Sequence, residues 1–272
     1  MRHGHLLDLN WLLTGATVFL ACASPSPAQI SYVGSSTIGE HLIPEAARAF
    51  TQKSGIPFGT IEVQGSGKGL QLVLDGKAML AGVSRSLTFV EKQKPIHYQL
   101  VGYDAVSVYV HPDNPVRNLT RQQLKDIFTG TIKNWKEVGG LDGGILCITQ
   151  TLSAGRGQMV EFQDSAMDGA AYRSDRKEVD KQSDQVTMLL KERNGITALS
   201  TAFAKPGLHA VSIDGFAPDA QHVRSGAYLL SRPLILVAPA HPTREVKAFI
   251  SFLLGPEGQA LVAHKFVAVD DH

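Results

Sequence analysis

Residues 61–76 read IEVQGSGKGLQLVLDG, in which an apolar strand pattern, a glycine-rich turn and an apolar helix pattern follow one another. Ile61 and Val63 mark the strand, and Leu70–Leu74 mark the helix. Apolar strand-like runs alternate with helical patterns along the rest of the chain, which indicates an α/β fold. The turn also raises a question of function, because glycine-rich turns between a strand and a helix can bind anions.

The turn Gly65–Gly69 is similar at first sight to the phosphate-binding loop of nucleotide hydrolases, whose pattern is G-x-x-x-x-G-K-[ST]. If Gly67 and Lys68 form its Gly-Lys pair, Glu62 stands where the first glycine is required. Gly69 then stands where the hydroxyl that binds Mg²⁺ is required. The sequence therefore excludes an ATPase of this kind. The turn either serves only as a connection or binds a different ligand.

A strand followed by a Ser/Thr/Gly turn and a helix occurs at four places: Ser35–Thr37, Gly65–Gly69, Ser84–Ser86 and Ser153–Gly157. The N-terminus of a helix carries unpaired N–H groups and a partial positive charge. Open α/β sheets bind their ligands at the carboxyl ends of the strands, where such turns lie. Several helix N-termini directed at one crevice would bind an anion without nucleotide machinery. We therefore expect a site for a small oxyanion, with Gly65–Gly69 as one of its walls.

The composition excludes several other classes of function. The chain has 272 residues and a formal net charge of +1, so no overall positive field favours nucleic acid as a partner. The ten histidines show none of the spacings of metal-binding motifs, and we predict neither a metal nor a cofactor. The chain has no G-x-S-x-G motif, which favours a binding protein over an enzyme. Cys147 lies in the apolar run Ile145–Ile148 and is interpreted as a core residue.

The first 28 residues have the pattern of a secretory signal peptide. Arg2 precedes the apolar run Leu12–Ala21, and small residues and prolines follow up to Gln29. Cleavage after Ala28 would release the protein into the periplasm. The box Phe19-Leu20-Ala21-Cys22 is similar to a lipoprotein cleavage site, so a lipid anchor at Cys22 is the alternative.

Four stretches of the chain together resemble one known family, the substrate-binding proteins of bacterial phosphate ABC transporters. They are GSST at 34–37, GSGKGLQLVLDGKAMLAGVSRSL at 65–87, SAGRGQMVEF at 153–162 and YLLSRPLILVAPAHPTREVKAFISFLLGPEGQALV at 228–262. The last stretch is long and specific. The resemblance extends over about residues 30–270, which is almost the whole chain after the signal peptide.

The resemblance implies a two-lobed α/β fold, the type II periplasmic binding protein fold, with the ligand in a cleft between the lobes. Lobe one would comprise residues 29–110 and 229–272, and lobe two residues 111–228. The crossings between the lobes would lie near Tyr109–His111 and Ser225–Tyr228. The implied ligand is inorganic phosphate or a similar small oxyanion, and the implied partner is the membrane permease of an ABC transporter. A monomer is expected.

The resemblance also implies a set of ligand-binding residues. They are Ser36, Thr37 and Ile38 in the first loop, Ser66 and Gly67 in the second, and Ser153, Ala154 and Gly155 in the third. Arg85 and Arg156 would add charge-assisted hydrogen bonds. Arg232, in Ser231-Arg232-Pro233, is expected to hold the strand that returns to lobe one.

Ala154 and Gly155 replace the usual glycine and threonine of the third loop, and two further departures from the family pattern matter more. Met79 stands where the family often has an acidic residue that accepts the proton of hydrogen phosphate. Thr149 stands where the family often has an arginine. These departures leave two alternatives open. The fold could bind another anion, such as a molybdate-like ion or an organic acid, or it could act as a sensory or envelope partner module.

Overall fold

The computed structural model describes Met1, residues 29–152 and residues 157–269. The predicted signal peptide with Cys22 lies outside the described residues, as do Ser153, Ala154, Gly155 and Arg156. The strands are β1 (Ile30–Gly34), β2 (Phe58–Glu62), β3 (Leu80–Val83), β4 (Ile96–Val110), β5 (Asn118–Leu119), β6 (Leu146–Gln150), β7 (Lys177–Val179), β8 (Gly195–Ser200), β9 (His209–Ile213) and β10 (Ser231–Pro239). The helices are α1 (Ser36–His41), α2 (Ile43–Ser54), α3 (Ser66–Leu74), α4 (Phe89–Lys92), α5 (Arg121–Thr129), α6 (Gly157–Met167), α7 (Gln182–Leu189), α8 (Ala220–Arg224), α9 (Arg244–Leu254) and α10 (Pro256–Ala263).

The strands form one continuous sheet in the order β2-β1-β3-β10-β4-β8-β6-β7, with β9 paired to β4 and β5 paired to β9. The pairs β1–β2, β1–β3, β6–β7 and β6–β8 are parallel. Strand β10 is antiparallel to both β3 and β4. Each half of the sheet therefore has a parallel part, and the carboxyl ends of β1 and β3 in one half face those of β6 and β8 in the other.

Strand β4 is the element shared by the two lobes. Its first part pairs with β10, from Ile96 opposite Pro239 to Ala105 opposite Ser231. Its last part, from Val106 onward, pairs with β8. The partner of β4 thus changes at Ala105–Val106. The lobe bounds and the crossings that the resemblance implies stay predictions.

Each lobe has its own apolar core. In lobe one Phe50 of α2 packs against Phe249 of α9, with ring centroids 5.3 Å apart. In lobe two Phe128 of α5 packs against Phe162 of α6, with centroids 4.8 Å apart. Cys147 is buried in the lobe-two core, as predicted, and burial raises the pKa of its thiol to about 11. Among the described residues, no helix has the length and apolar character to cross a membrane.

Two glycines allow helix α3 to begin close to the end of strand β1. A Cβ atom added at Gly69 would lie 2.6 Å from the Cα atom of Gly34, so only glycine lets α3 approach the end of β1 this closely. Gly65, immediately before α3, has a φ of 90°, a backbone conformation that favours glycine. The glycines of the Gly65–Gly69 turn therefore have a structural cause. They bring the first turn of α3 to the edge of the sheet.

Candidate anion site between the lobes

A small cavity lies between the lobes, at the carboxyl ends of β1, β3 and β6. Three helices, α1, α3 and α6, begin beside it. Its lining consists almost entirely of small and polar residues, which are Ser35, Ser36, Thr37, Gly65, Ser66, Ser84, Gln150, Gly157, Gln158, Gln182 and Arg232. A larger surface cavity of about 320 Å³ lies on lobe one between α2 and α9, but it is lined mainly by apolar groups and is remote from these strand ends.

Arg232 is the positively charged residue in this lining, and its side chain is fully buried. Its Nε and Nη2 atoms lie 2.9 Å and 2.7 Å from the Oδ2 atom of Asp104, which is also fully buried. The neighbouring strands β4 and β10 place these two residues directly opposite each other. Burial raises the pKa of Asp104, whereas Arg232 and the Ser200 hydroxyl, which donates to Asp104 Oδ1 over 2.6 Å, act in the opposite direction.

The remaining donors of Arg232 orient two hydroxyl groups of the cavity. Its Nη2 atom donates to Thr37 Oγ1 over 2.9 Å, and its Nη1 atom donates to the carbonyl and hydroxyl oxygens of Ser84 over 3.0 Å and 3.2 Å. Thr37 Oγ1 also accepts from Gln182 Nε2 at 3.4 Å, and Ser84 Oγ accepts from Ser35 Oγ at 2.9 Å. A hydroxyl has two lone pairs and one hydrogen. With both lone pairs occupied, each of these hydroxyls keeps its hydrogen to donate.

Ser66 completes the lobe-one side of the cavity. Its Oγ atom accepts the backbone N–H of Ser84 over 3.2 Å and lies 3.5 Å from Ser84 Oγ. Three hydroxyl groups, from Thr37, Ser66 and Ser84, thus converge around the buried guanidinium. A cavity that presents hydroxyl hydrogens beside a guanidinium is suited to an anion and not to a cation.

The lobe-two side of the cavity carries glutamines in place of hydroxyls. Gln150, Gln158 and Gln182 are all almost completely buried. Their amide nitrogens donate hydrogen bonds to Asp180 O at 3.1 Å, to Ala198 O at 2.7 Å and to Thr37 Oγ1 at 3.4 Å, respectively. Gln182 also accepts the N–H of Ser200 at 2.8 Å. This side of the cavity is polar but uncharged in the part of the chain that the structure describes.

Several contacts cross from one lobe to the other. Gln182 of lobe two reaches Thr37 of lobe one, and the Glu161 carboxylate accepts the backbone N–H of Ser86 at 3.3 Å. A Cβ atom on Gly157, at the start of α6, would lie 2.8 Å from Ser66 Oγ. The lobes are therefore in close contact around the cavity, as expected for a closed cleft.

The structure places the predicted site residues in different surroundings. Ser36, Thr37 and Ser66 line the cavity. Ile38 lies in the lobe-one core, with its N–H donated to Ser35 Oγ at 3.4 Å, and Gly67 is exposed. Neither of them is part of the lining, so their predicted contact with a ligand stays a prediction. The same holds for Ser153, Ala154, Gly155 and Arg156, which lie outside the described residues.

Arg85 is held outside the lining by an acidic partner. Its Nη1 and Nη2 atoms lie 2.8 Å and 2.7 Å from the two carboxylate oxygens of Glu91 in α4. This bidentate pair lowers the pKa of Glu91, chiefly through the hydrogen bond from Arg85. The role of Arg85 in ligand binding stays a prediction. In the structure, however, its guanidinium is engaged at α4 and does not reach the cavity lining.

The two departures from the family pattern also lie outside the lining. Met79 is partly buried and packs against the lobe-one core. Thr149 is buried on β6, and within the described residues its hydroxyl oxygen has no hydrogen-bond partner. The described residues also contain no group of three or more His, Cys, Asp or Glu side chains that could hold a metal ion.

The predicted ligand-binding residues omit eight of the eleven residues that line the cavity: Ser35, Gly65, Ser84, Gln150, Gly157, Gln158, Gln182 and Arg232. Ser84 had a signal, because it lies in one of the four turns between a strand and a helix. Arg232 was recognised only as a structural residue. The glutamines gave no signal, because a single glutamine in a chain has no spacing that marks it as a ligand.

Comparison with known proteins agrees with this architecture. The sequence profile of the PBP superfamily domain matches residues 21–257. The phosphate-binding protein PstS of Bacillus subtilis is 30% identical over 231 residues, which cover 81% of this chain and 74% of the relative. The PstS protein of Borreliella burgdorferi is 25% identical over 251 residues, which cover 89% of this chain and 90% of the relative. The chain belongs to this family of phosphate-binding proteins, within the PBP superfamily.

Solved structures show the same two-lobed fold. A proposed substrate-binding protein of a phosphate ABC transporter from Clostridium perfringens, determined with bound phosphate, superimposes with a TM-score of 0.82 at 29% identity. The superposition covers 89% of this chain and 100% of the Clostridium perfringens protein. An ABC-type phosphate transport receptor from Vibrio cholerae gives a TM-score of 0.76 at 25% identity, with 89% of this chain and 100% of the receptor covered. The predicted family and fold are thereby confirmed.

Proposed function

We propose that this protein captures phosphate in the cavity between its lobes and delivers it to the membrane permease of an ABC transporter. The observation that carries the proposal is the group of hydroxyls around Arg232. The guanidinium and Gln182 occupy the lone pairs of Thr37 and thereby leave its hydrogen to be donated into the cavity. The guanidinium and Ser35 do the same for Ser84, whose hydrogen is shared between the cavity and Ser66 Oγ at 3.5 Å. Relatives named phosphate-binding proteins, and a similar structure with bound phosphate, support phosphate as the ligand.

The charge of the site favours capture by hydrogen bonds. Asp104 neutralises Arg232, so this buried pair, which supplies the charges of the lining within the described residues, has no net charge. Oriented dipoles in a buried cavity stabilise an anion strongly, because no water competes for the donors. Such a site can bind the ligand and still release it when the lobes separate and water enters.

Closure of the lobes supplies a signal for the permease. Gln182 and Thr37 meet across the cleft, as do Glu161 and Ser86. A ligand that contacts both lobes stabilises this closed arrangement by the difference between its affinities for the closed and open forms. The permease would recognise the relative position of the lobes and not the ligand itself.

Binding without catalysis also fits the surroundings of Ser66. In the described part of the chain, the hydrogen-bond partners of its hydroxyl are the N–H and hydroxyl of Ser84. Neither group can act as a general base. Among the described residues, no hydrogen-bond partner of Ser66 could therefore activate it as a nucleophile.

Calorimetric titration of the purified protein tests the ligand. We expect phosphate to bind with a 1:1 stoichiometry and much more tightly than sulfate or molybdate, at about pH 6 and about pH 8. Equal binding of sulfate, or no binding of phosphate, would contradict the proposal and favour a different anion. Phosphate uptake by cells that lack the gene, compared with cells that carry it, tests delivery to a transporter.

The place of action is part of the proposal. Residues 1–28 would direct export and be removed, and the monomeric protein would act in the periplasm. The mass of the mature protein tests this directly. Loss of residues 1–28 alone supports the soluble form, whereas a lipid-modified N-terminal Cys22 would show that the protein is anchored.

A further inference from the structure

One atom of the cavity lining has the opposite polarity from the hydroxyls around Arg232. Gln158, in the first turn of α6, lines the cavity and is only 2% exposed. Its side-chain oxygen, Oε1, is buried and has no hydrogen-bond partner among the described residues. A buried acceptor without a donor costs free energy, on the order of 1–3 kcal/mol, so its presence in a ligand cavity calls for an explanation.

The orientation of this amide is determined by its other end. Gln158 Nε2 donates to the carbonyl oxygen of Ala198 over 2.7 Å. A carbonyl oxygen can only accept, so rotating the amide by half a turn would place two acceptors against each other. The amide nitrogen therefore faces Ala198, and the amide oxygen faces the other way as a free acceptor.

The cavity thus combines hydroxyl donors on one side with a free acceptor on the other. Thr37 has a hydrogen to donate, because Arg232 and Gln182 occupy its two lone pairs. A ligand that matches this arrangement is an oxyanion whose oxygens are acceptors except for one that carries a hydrogen. Hydrogen phosphate has this structure. Sulfate near neutral pH has only acceptor oxygens and would place one of them against Gln158 Oε1.

We propose that Gln158 Oε1 accepts the O–H hydrogen of a singly protonated tetrahedral oxyanion and thereby distinguishes phosphate from sulfate. This inference rests on the proposed function and names the group that gives it specificity. The inference also explains why an acidic residue is not needed at position 79, where this chain has Met79. The neutral amide oxygen of Gln158 would accept the proton in place of the carboxylate that the family often has. A neutral acceptor avoids the repulsion between a carboxylate and a dianion.

The test compares dissociation constants for phosphate, sulfate and monofluorophosphate in the wild-type protein and in Gln158→Met. Monofluorophosphate has the shape and charge of hydrogen phosphate but carries fluorine in place of the hydroxyl, so it has no hydrogen to donate. We expect the wild type to prefer phosphate to both analogues. Methionine has a similar length without the acceptor, and we expect Gln158→Met to reduce both preferences by about tenfold or more.

Gln185 offers a matched control. It is also fully buried, it also donates to Ala198 O, and its Oε1 atom also has no partner in the part of the chain that the structure describes. It is absent from the residues that line the cavity. Gln185→Met should lower the melting temperature but leave both preferences as in the wild type.

The possible outcomes separate the two proposals. If the wild type binds phosphate selectively and Gln158→Met keeps the same preferences, the role of Gln158 is refuted while the proposed function stands. If Gln150→Met reduces the preferences and Gln158→Met does not, the acceptor is Gln150 and the inference is wrong. If the wild type does not bind phosphate, both proposals fail.

Should Gln158→Met not fold, Gln158→Asn provides a second test. The asparagine side chain is one methylene shorter and places its amide further from the cavity, so this variant must reduce the same preferences.

Discussion

Two Ser-Arg dipeptides, Ser84-Arg85 and Ser231-Arg232, have opposite surroundings in this molecule. Arg232 is fully buried, and its guanidinium is shared between Asp104, Thr37 and Ser84. Arg85 lies in the same region, but its guanidinium forms a bidentate pair with Glu91 outside the cavity lining. The dipeptides differ in which of their residues reaches the ligand cavity. Ser84 and Arg232 line it, whereas Arg85 and Ser231 do not.

The difference shows that the partner of an arginine determines what the arginine does. A guanidinium held by a nearby carboxylate on the same surface stabilises a local turn. A guanidinium held by a buried carboxylate and by hydroxyls fixes the direction in which those hydroxyls donate. If the proposed site binds phosphate, Arg232 would therefore act on the ligand through Thr37 and Ser84, as a positioning residue.

The largest expected effect is on stability, from Arg232→Met. This change leaves the carboxylate of Asp104 buried without its cation, which typically lowers the free energy of unfolding by about 3–5 kcal/mol. Urea denaturation measures the loss. Arg85→Met is the matched variant, and we expect it to cost no more than about 1 kcal/mol, because the Arg85–Glu91 pair is partly solvated. Equal losses of unfolding free energy in the two variants would show that the buried Arg232–Asp104 pair is no more important for stability than the Arg85–Glu91 pair.

The next effect is on affinity, from Thr37→Val. Valine keeps the shape of threonine but removes the hydroxyl that Arg232 orients towards the cavity. A hydrogen bond to a charged group contributes about 1.5–3 kcal/mol, so the dissociation constant for phosphate should rise by about tenfold or more. Thr187→Val, at an exposed hydroxyl of α7 that donates to Ser183 O, is the control and should bind phosphate like the wild type.

A smaller effect is expected from Arg85→Ala. If Arg85 contacts the ligand, as predicted from the sequence, its removal should weaken phosphate binding by more than about tenfold. The bidentate pair with Glu91 leads us to expect a change of less than about threefold. Calorimetry on the folded variant separates the two expectations. A loss of phosphate affinity above tenfold would show that Arg85 leaves Glu91 and binds the ligand. Arg85 and Arg232 would then no longer have different roles.

The smallest effect concerns Glu161, which joins the lobes through Ser86. Burial raises the pKa of its carboxyl, so the folded protein binds this proton more readily than the unfolded chain does. The resulting stabilisation is full below the ordinary pKa of glutamate and is lost as the pH rises through the raised pKa. The stability of the wild type relative to Glu161→Gln should therefore decrease as the pH rises above the ordinary pKa of glutamate, about 4.3. Urea midpoints measure it, and a pH-independent difference would contradict the assigned pKa shift.

Local sequence patterns predicted the parts of the site that local structure creates. Ser36, Thr37 and Ser66 follow strand ends and begin helices, and each of them lines the cavity. The role of Arg232 could not be predicted in this way, because its partner Asp104 is 128 positions away and only the pairing of β4 with β10 brings them together. Gln158 was missed because its role depends on the position of Ala198 in a neighbouring strand, which no local spacing reveals.

The most direct test of the role of Arg232 is a phosphate titration of the double variant Arg232→Met/Asp104→Asn. Removing both charges together avoids an unpaired buried ion, so this variant should fold with a stability close to that of the wild type. We predict that it nevertheless loses phosphate affinity by about tenfold or more, because the hydroxyls of Thr37 and Ser84 are no longer oriented. A folded double variant that binds phosphate as tightly as the wild type would show that the buried pair does not organise the site.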